Sequence, residues 1–187
     1  PAVLDDGRIL YHRWEYVDKA AGNLKCIWSM NPDGSASAEV YGNAITFPET
    51  MIYPRPIPGI RGKIVMLGTS HCCPNNAVGA VIVIDTSKDI RAVDTMRFVT
   101  DDIRALAHTG FHFRDAGGKW KLDKSGKPGR LFKDPYPLSE NLFIATMKPK
   151  GAAWDDPKAY DLCLLDGKGV DRPLYKDEGI SCWHPYP

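Results

Sequence analysis

The chain has 187 residues, 43% of them apolar and 25% charged, and its 24 basic and 23 acidic side chains leave a net charge of +1. That length supports one sizeable core, and the apolar share excludes a disordered chain. The near-zero charge, with basic residues scattered rather than striped, excludes a nucleic-acid or anionic-membrane surface, and no apolar run nears the roughly eighteen residues that span a bilayer.

The chain opens on Pro1 with no initiator Met and no signal pattern, so it reads as entered within a domain whose targeting segment lies elsewhere. From there one pattern recurs three times: a strand, a connection, an apolar strand ending near Asp, a turn and a short strand. The first copy runs through Gly7–Tyr16, Leu24–Gly34 and Ala38–Tyr41. The second runs through Gly62–Thr69, Gly79–Asp85 and Asp94–Val99, and the third through Glu140–Thr146, Tyr160–Gly169 and Arg172–Tyr175. Ahead of each stands a shorter stretch suited to an innermost strand: Ala2–Leu4, Thr50–Tyr53 and Asp134–Leu138. Asn31-Pro32-Asp33-Gly34 and Asp166-Gly167-Lys168-Gly169 are turn signals, because Gly supplies positive φ and Pro presets the turn.

Four short strands per unit predict an all-β fold, part of a TolB-like β-propeller with about three of an expected six blades. The units fall at about 1–45, 46–100 and 134–178, with a long irregular insertion over about 101–133 and the start of a next blade at 179–187. Three blades leave two apolar end faces, so this stretch is not expected to close a propeller alone. The competing architecture is an irregular antiparallel sandwich. Thr100–His108 is the one stretch that suits two helical turns, with Thr100 as N-cap and Asp101 and Asp102 in the first turn.

Five cysteines, Cys26, Cys72, Cys73, Cys163 and Cys182, do not make a disulfide framework. Cys26 and Cys163 alternate into strands, where a free thiol serves as a small buried apolar group. His71-Cys72-Cys73 differs, since it follows an apolar strand and offers the thiolate and imidazole donors that zinc prefers. Further ligands must come from elsewhere, and His108 and His112 are the candidates; the alternative is a packed cysteine pair with unrelated histidines. His184 suits the core at the start of a blade, and His12, between aromatic neighbours, suits a hydrogen-bonded place on a sheet face. Asp5-Asp6, Asp101-Asp102 and Asp155-Asp156 read as solvated turns, because adjacent strand residues point to opposite faces. Aromatic residues gather beside prolines in 51–59, 134–137 and 183–187, which suits extended segments near a propeller channel or a subunit interface, or ordinary rim packing.

Nucleophile elbow, phosphate loop, dinucleotide and zinc-protease motifs are absent, and no C-x-x-C-H motif attaches a c-type haem. No catalytic or cofactor-binding residue is therefore assigned from motifs.

Arg13-Trp14-Glu15-Tyr16, residues 27–34, Tyr41-Gly42-Asn43, residues 55–59, residues 134–141 and the closing 180–187, taken in order, resemble the propeller region of hydrazine synthase alpha subunits and their planctomycete relatives. The resemblance spans essentially the whole chain. It implies one part of a multi-subunit oxidoreductase of anammox bacteria, housed in the anammoxosome, which joins nitric oxide and ammonium into hydrazine. Electrons arrive there through c-type haems carried in domains outside this segment. The implied partners are the remaining domains of its own chain and the other subunits, with no nucleic acid and no membrane span. The resemblance further implies a zinc ion beside the active-site haem with a propeller cysteine as ligand, which points to Cys72 or Cys73; His71, His108 and His112 stay spatial candidates. The segment alone is not expected to be catalytic. A non-catalytic TolB-like propeller acting as a protein-interaction module is the alternative.

Overall fold

The computed structural model describes residues 1–15, 25–43, 45–71, 78–104 and 110–186. Three four-stranded antiparallel meanders carry the fold. The first contains β1 (Ala2–Val3), β2 (Ile9–Trp14), β3 (Lys25–Met30) and β4 (Ala38–Tyr41). The second contains β5 (Thr50–Pro56), β6 (Lys63–Thr69), β7 (Ala80–Asp85) and β8 (Met96–Phe98). Between the second and third, β9 (Ile103–Arg104), β10 (Phe111–Arg114) and β11 (Trp120–Asp123) form a small sheet of their own. The third meander contains β12 (Leu131–Ser139), β13 (Leu142–Lys148), β14 (Asp161–Asp166) and β15 (Asp171–Tyr175).

Strands in each meander pair in sequence order, so each sheet is built from local hairpins. The turns form as their residues dictate. Gly34, at φ 84°, donates its N–H to Asn31 O at 2.9 Å. Asp166 Oδ1 accepts the N–H groups of Lys168 and Val170, both at 2.9 Å. Such carboxylate-capped turns let short apolar strands follow one another closely.

The first strand of each later sheet packs on the sheet before it. Strand β5 touches β1, β2 and β3, while β12 touches β5, β6 and β7. Central strands are therefore covered on both faces, which explains the unbroken Ala80-Val81-Ile82-Val83-Ile84 run, all of it buried. Leu10, Ile27, Tyr41, Met66, Phe132, Phe143 and Leu165 continue one core through all three sheets. Polar ties cross the same boundaries: Tyr41 Oη donates to Ala92 O at 3.0 Å, Arg97 Nη1 donates to Gly167 O at 2.8 Å, and Lys63 pairs with Glu140.

Two expectations are corrected. The stretch from Thr100 is not helical over its described part: β9 occupies 103–104, and Thr100 Oγ1 accepts the Val81 N–H at 2.9 Å instead of capping a turn, while residues 105–109 lie outside the described set. His12 is not hydrogen-bonded as expected; its buried Nε2 has no partner, and burial with nearby Lys25 lowers its pKa to about 4. Among the described residues, the only helical turn is the 3-10 turn Val93–Thr95. Residues 179–186 contain no strand; Ser181 N and Cys182 N donate to Pro157 O at 3.0 Å and Tyr160 O at 2.8 Å.

Candidate functional site

The segment between β6 and β7 begins in a closed neck. Thr69 Oγ1 donates to Val78 O at 2.6 Å, and Ser70 is buried beside it. On the far side Gly79 exchanges two backbone hydrogen bonds with Phe132 of the third sheet, each 3.0 Å. A Cβ on Gly79 would collide with Gly68 O, so the two backbones approach as only glycine allows.

Cys72, Cys73 and His108 lie outside the described residues. His71, at the neck, meets the Trp14 ring edge-on at 4.8 Å between centroids, which places it beside the first sheet. His112 sits on β10 opposite Arg104 and Leu122. Its Nδ1 is buried without a hydrogen-bond partner, and burial lowers its pKa. Among the described residues no three His, Cys, Asp or Glu side chains gather as a metal site. The donor types nonetheless suit a borderline-soft ion: two thiols, imidazoles, and one ring nitrogen left open.

A second cluster lies where the proline-rich segments of three units converge. Tyr53, Asp134 and His184 each precede a proline, and each takes a left-handed φ, of 54°, 47° and 48°. Non-glycine residues held there cost on the order of 1–3 kcal/mol each and persist only where the surroundings fix them. On β5 and β12 the cause is visible: pairing with the neighbouring strand slips between Ile52 and Arg55, and between Lys133 and Tyr136. A bulge of this kind re-aims one side chain out of the pleat.

The three side chains meet. His184 Nδ1 lies 3.3 Å from Asp134 Oδ2, and the Tyr53 and His184 rings meet edge-on at 5.8 Å. Burial pushes the Asp134 carboxyl above its usual range, against the pull of His184, Lys133 and Arg55. Lys133 is buried with Nζ 3.5 Å from the Trp183 ring centre and 4.2 Å from that of Tyr160, and burial lowers its pKa to about 8. One step along the chain, Arg55 lies over Tyr136 at 4.9 Å and Tyr186 at 4.8 Å. The motifs alone single out His184 weakly and Tyr53 and Asp134 not at all; the signal they carry is the thrice-repeated X-Pro-X-Pro of 53–56, 134–137 and 184–187.

Stacked meanders whose first strands share one side define the class: the chain is a segment of a β-propeller. Its fold is similar to hydrazine synthase of Kuenenia stuttgartiensis, with a TM-score of 0.62 and 19% identity over 94% of this chain. The chain spans 19% of the length of that protein. No family model and no curated protein matches the sequence. No helix among the described residues is long and apolar enough to cross a membrane.

Proposed function

We propose that this chain is a propeller segment of the alpha subunit of a hydrazine synthase, a multi-haem oxidoreductase that joins nitric oxide and ammonium into hydrazine. The observation that carries this reading is the fold likeness to hydrazine synthase along 94% of the chain, on which the ordered sequence resemblance converges. In this role the segment scaffolds the subunit, and its partners are the other domains of its own chain and the companion subunits. The enzyme belongs in the anammoxosome, with c-type haem attached outside this segment.

In this reading Cys72 or Cys73, in the stretch that follows the neck at Thr69 and Val78 in sequence, is a zinc ligand, with His71, His108 and His112 as further donors. A zinc ion there would supply a fixed positive charge or Lewis acidity beside the haem. The chain's own described contribution is the neck itself, whose Gly79 is pinned to Phe132 of the third sheet by two backbone hydrogen bonds.

A second reading, a partner-binding propeller without catalysis, draws support from the apolar side chains exposed on and after β15: Leu174, Tyr175, Ile180 and Trp183. Metal and haem content of the complete parent protein separates the two, compared with a variant carrying Cys72→Ser and Cys73→Ser. About one zinc per alpha chain, lost in the variant, together with c-type haem bands, supports the synthase. No haem, with zinc absent or indifferent to the substitutions, leaves the partner-binding propeller.

A further inference from the structure

The small sheet of the insertion turns one face away from the core, and that face is basic and aromatic. Successive residues on a strand alternate sides, and Ile103, Phe111 and Phe113 take the buried side. The other side shows Arg104 of β9, His112 and Arg114 of β10, and Trp120 and Leu122 of β11, which the register sets beside one another. Arg114 and Leu122 are exposed, and the other three are half-buried.

Both arginines pack on the Trp120 ring, with the Arg104 Cζ 5.2 Å and the Arg114 Cζ 4.9 Å from its centre. Arg104 also lies 3.7 Å over Phe98. Stacking engages the guanidinium faces and leaves the in-plane N–H groups for other partners, of which Arg104 Nη1 gives one to Ile103 O at 3.1 Å. Among the described residues no carboxylate pairs with either arginine. Asp102 belongs to Arg130 at 2.9 Å and Asp115 to Lys121 at 3.2 Å, while Asp101 acts on Arg104 only from a distance. The Arg114 charge meanwhile works against that of Arg104. Between residues 104 and 130 seven basic side chains stand against two acidic ones, so the imbalance is local in a chain of net charge +1.

We propose that this face docks an extended acidic segment of another protein chain, whose carboxylates, two residues apart, meet Arg104 and Arg114. Arg104 is paired with His112, two residues before Arg114, so the two arginines stand diagonally on adjacent strands. Such positions are about 7–8 Å apart. Alternate residues of an extended segment are about 6.5–7 Å apart, which matches. Each guanidinium accepts a carboxylate in its own plane, and an anion there also relieves the repulsion between the two arginines. Leu122, 49% exposed, gives the segment an apolar contact beside the charged pair. A nucleic acid suits this face less, since two cations flanked by Leu122 form no track for successive phosphates. Cys72 and Cys73 take no part, so failure of this inference leaves the synthase reading standing, and the reverse.

The test measures fluorescence anisotropy of a dye-labelled peptide, Glu-Thr-Glu-Thr-Leu with blocked ends, against the full chain. A saturable rise is expected, weakened by salt. The Gln-Thr-Gln-Thr-Leu peptide should bind about tenfold more weakly or worse, and so should the Glu peptide to Arg104→Gln or Arg114→Gln. Arg114 is exposed, so Arg114→Gln keeps the fold and decides the matter if the Arg104 variant does not fold. Lys119→Gln, an exposed change in the neighbouring turn, should alter binding less than about twofold. No saturable binding, equal binding of the Gln peptide, or a loss in Lys119→Gln as large as in Arg114→Gln overturns the proposal. So does tighter binding of a short oligothymidylate than of the Glu peptide, which would make the face a polyanion site.

Discussion

Asp134 and His184, fifty residues apart in sequence, face each other with one carboxylate oxygen 3.3 Å from the ring Nδ1 and 3.4 Å from the backbone N–H. The carboxylate is 3% exposed and the imidazole 55%, so a buried anchor holds a half-exposed segment. Asp134→Ala should loosen residues 179–186: His184 amide exchange rises about tenfold, and proteolysis at Trp183 accelerates. Asp134→Asn still offers an acceptor and removes a charge that burial disfavours, so its stability at pH 7 should stay within about 1 kcal/mol of the parent. Equal proteolysis of the Ala variant and the parent would show that the remaining contacts of Ser181, Cys182, Trp183 and Tyr186 hold the segment without Asp134.

Gly79 joins the second and third sheets where no side chain fits. Gly79→Ala must displace the Gly68 backbone and disturb the paired bonds to Phe132, a cost of about 2 kcal/mol or more. Gly7→Ala is the control. Gly7, unlike Gly79, has a positive φ, but no atom lies within 4 Å of its would-be Cβ, so only the conformational cost of about 1 kcal/mol applies. Urea unfolding midpoints of the two variants test the ordering.

Repeats and turns were legible in the sequence because their causes are local. Alternation and apolar runs set the strands, and Asn31, Gly34, Asp166 and Gly169 set the reversals. The small sheet of the insertion was not legible, since β11 has no buried position and exposes its one aliphatic residue, Leu122, and β9 has two residues. The helical pattern at Thr100 lost to tertiary partners: Val81 takes the Thr100 hydroxyl, and Arg130 takes Asp102 at 2.9 and 3.2 Å. The convergence of Tyr53, Asp134 and His184 depends on backbone angles set by strand slips, which residue types alone do not reveal. At the cysteine loop the donor types were readable from sequence, whereas which side chains share a partner depends on tertiary placement.

Lys148 spends all three ammonium hydrogens inside the protein, on Gly126 O at 2.6 Å, Gly129 O at 2.5 Å and Pro149 O at 3.1 Å. These bonds tie the end of the insertion to β13. Lys148→Met fills similar space but leaves the carbonyls without donors, so a loss of about 2–4 kcal/mol is expected. Faster amide exchange should be confined to residues 123–131. A variant as stable as the parent would mean that these carbonyls find water instead.

His12 makes stability depend on pH in a definite direction. Its pKa is lowered from 6.5 to about 4 in the folded protein, chiefly by burial and secondarily by Lys25. Between those values the unfolded chain holds a proton that the folded chain does not, so stability falls as pH drops from about 6.5 toward 4. Below that window the loss is complete, on the order of 3 kcal/mol. In His12→Phe the contribution vanishes, because no group titrates there. Urea midpoints of parent and variant measured from pH 7.5 to 4.5 should therefore run parallel above pH 7 and converge or cross below 6, with the parent falling faster. Parallel curves throughout would mean that His12 accepts its proton as readily in the folded protein as in the unfolded chain.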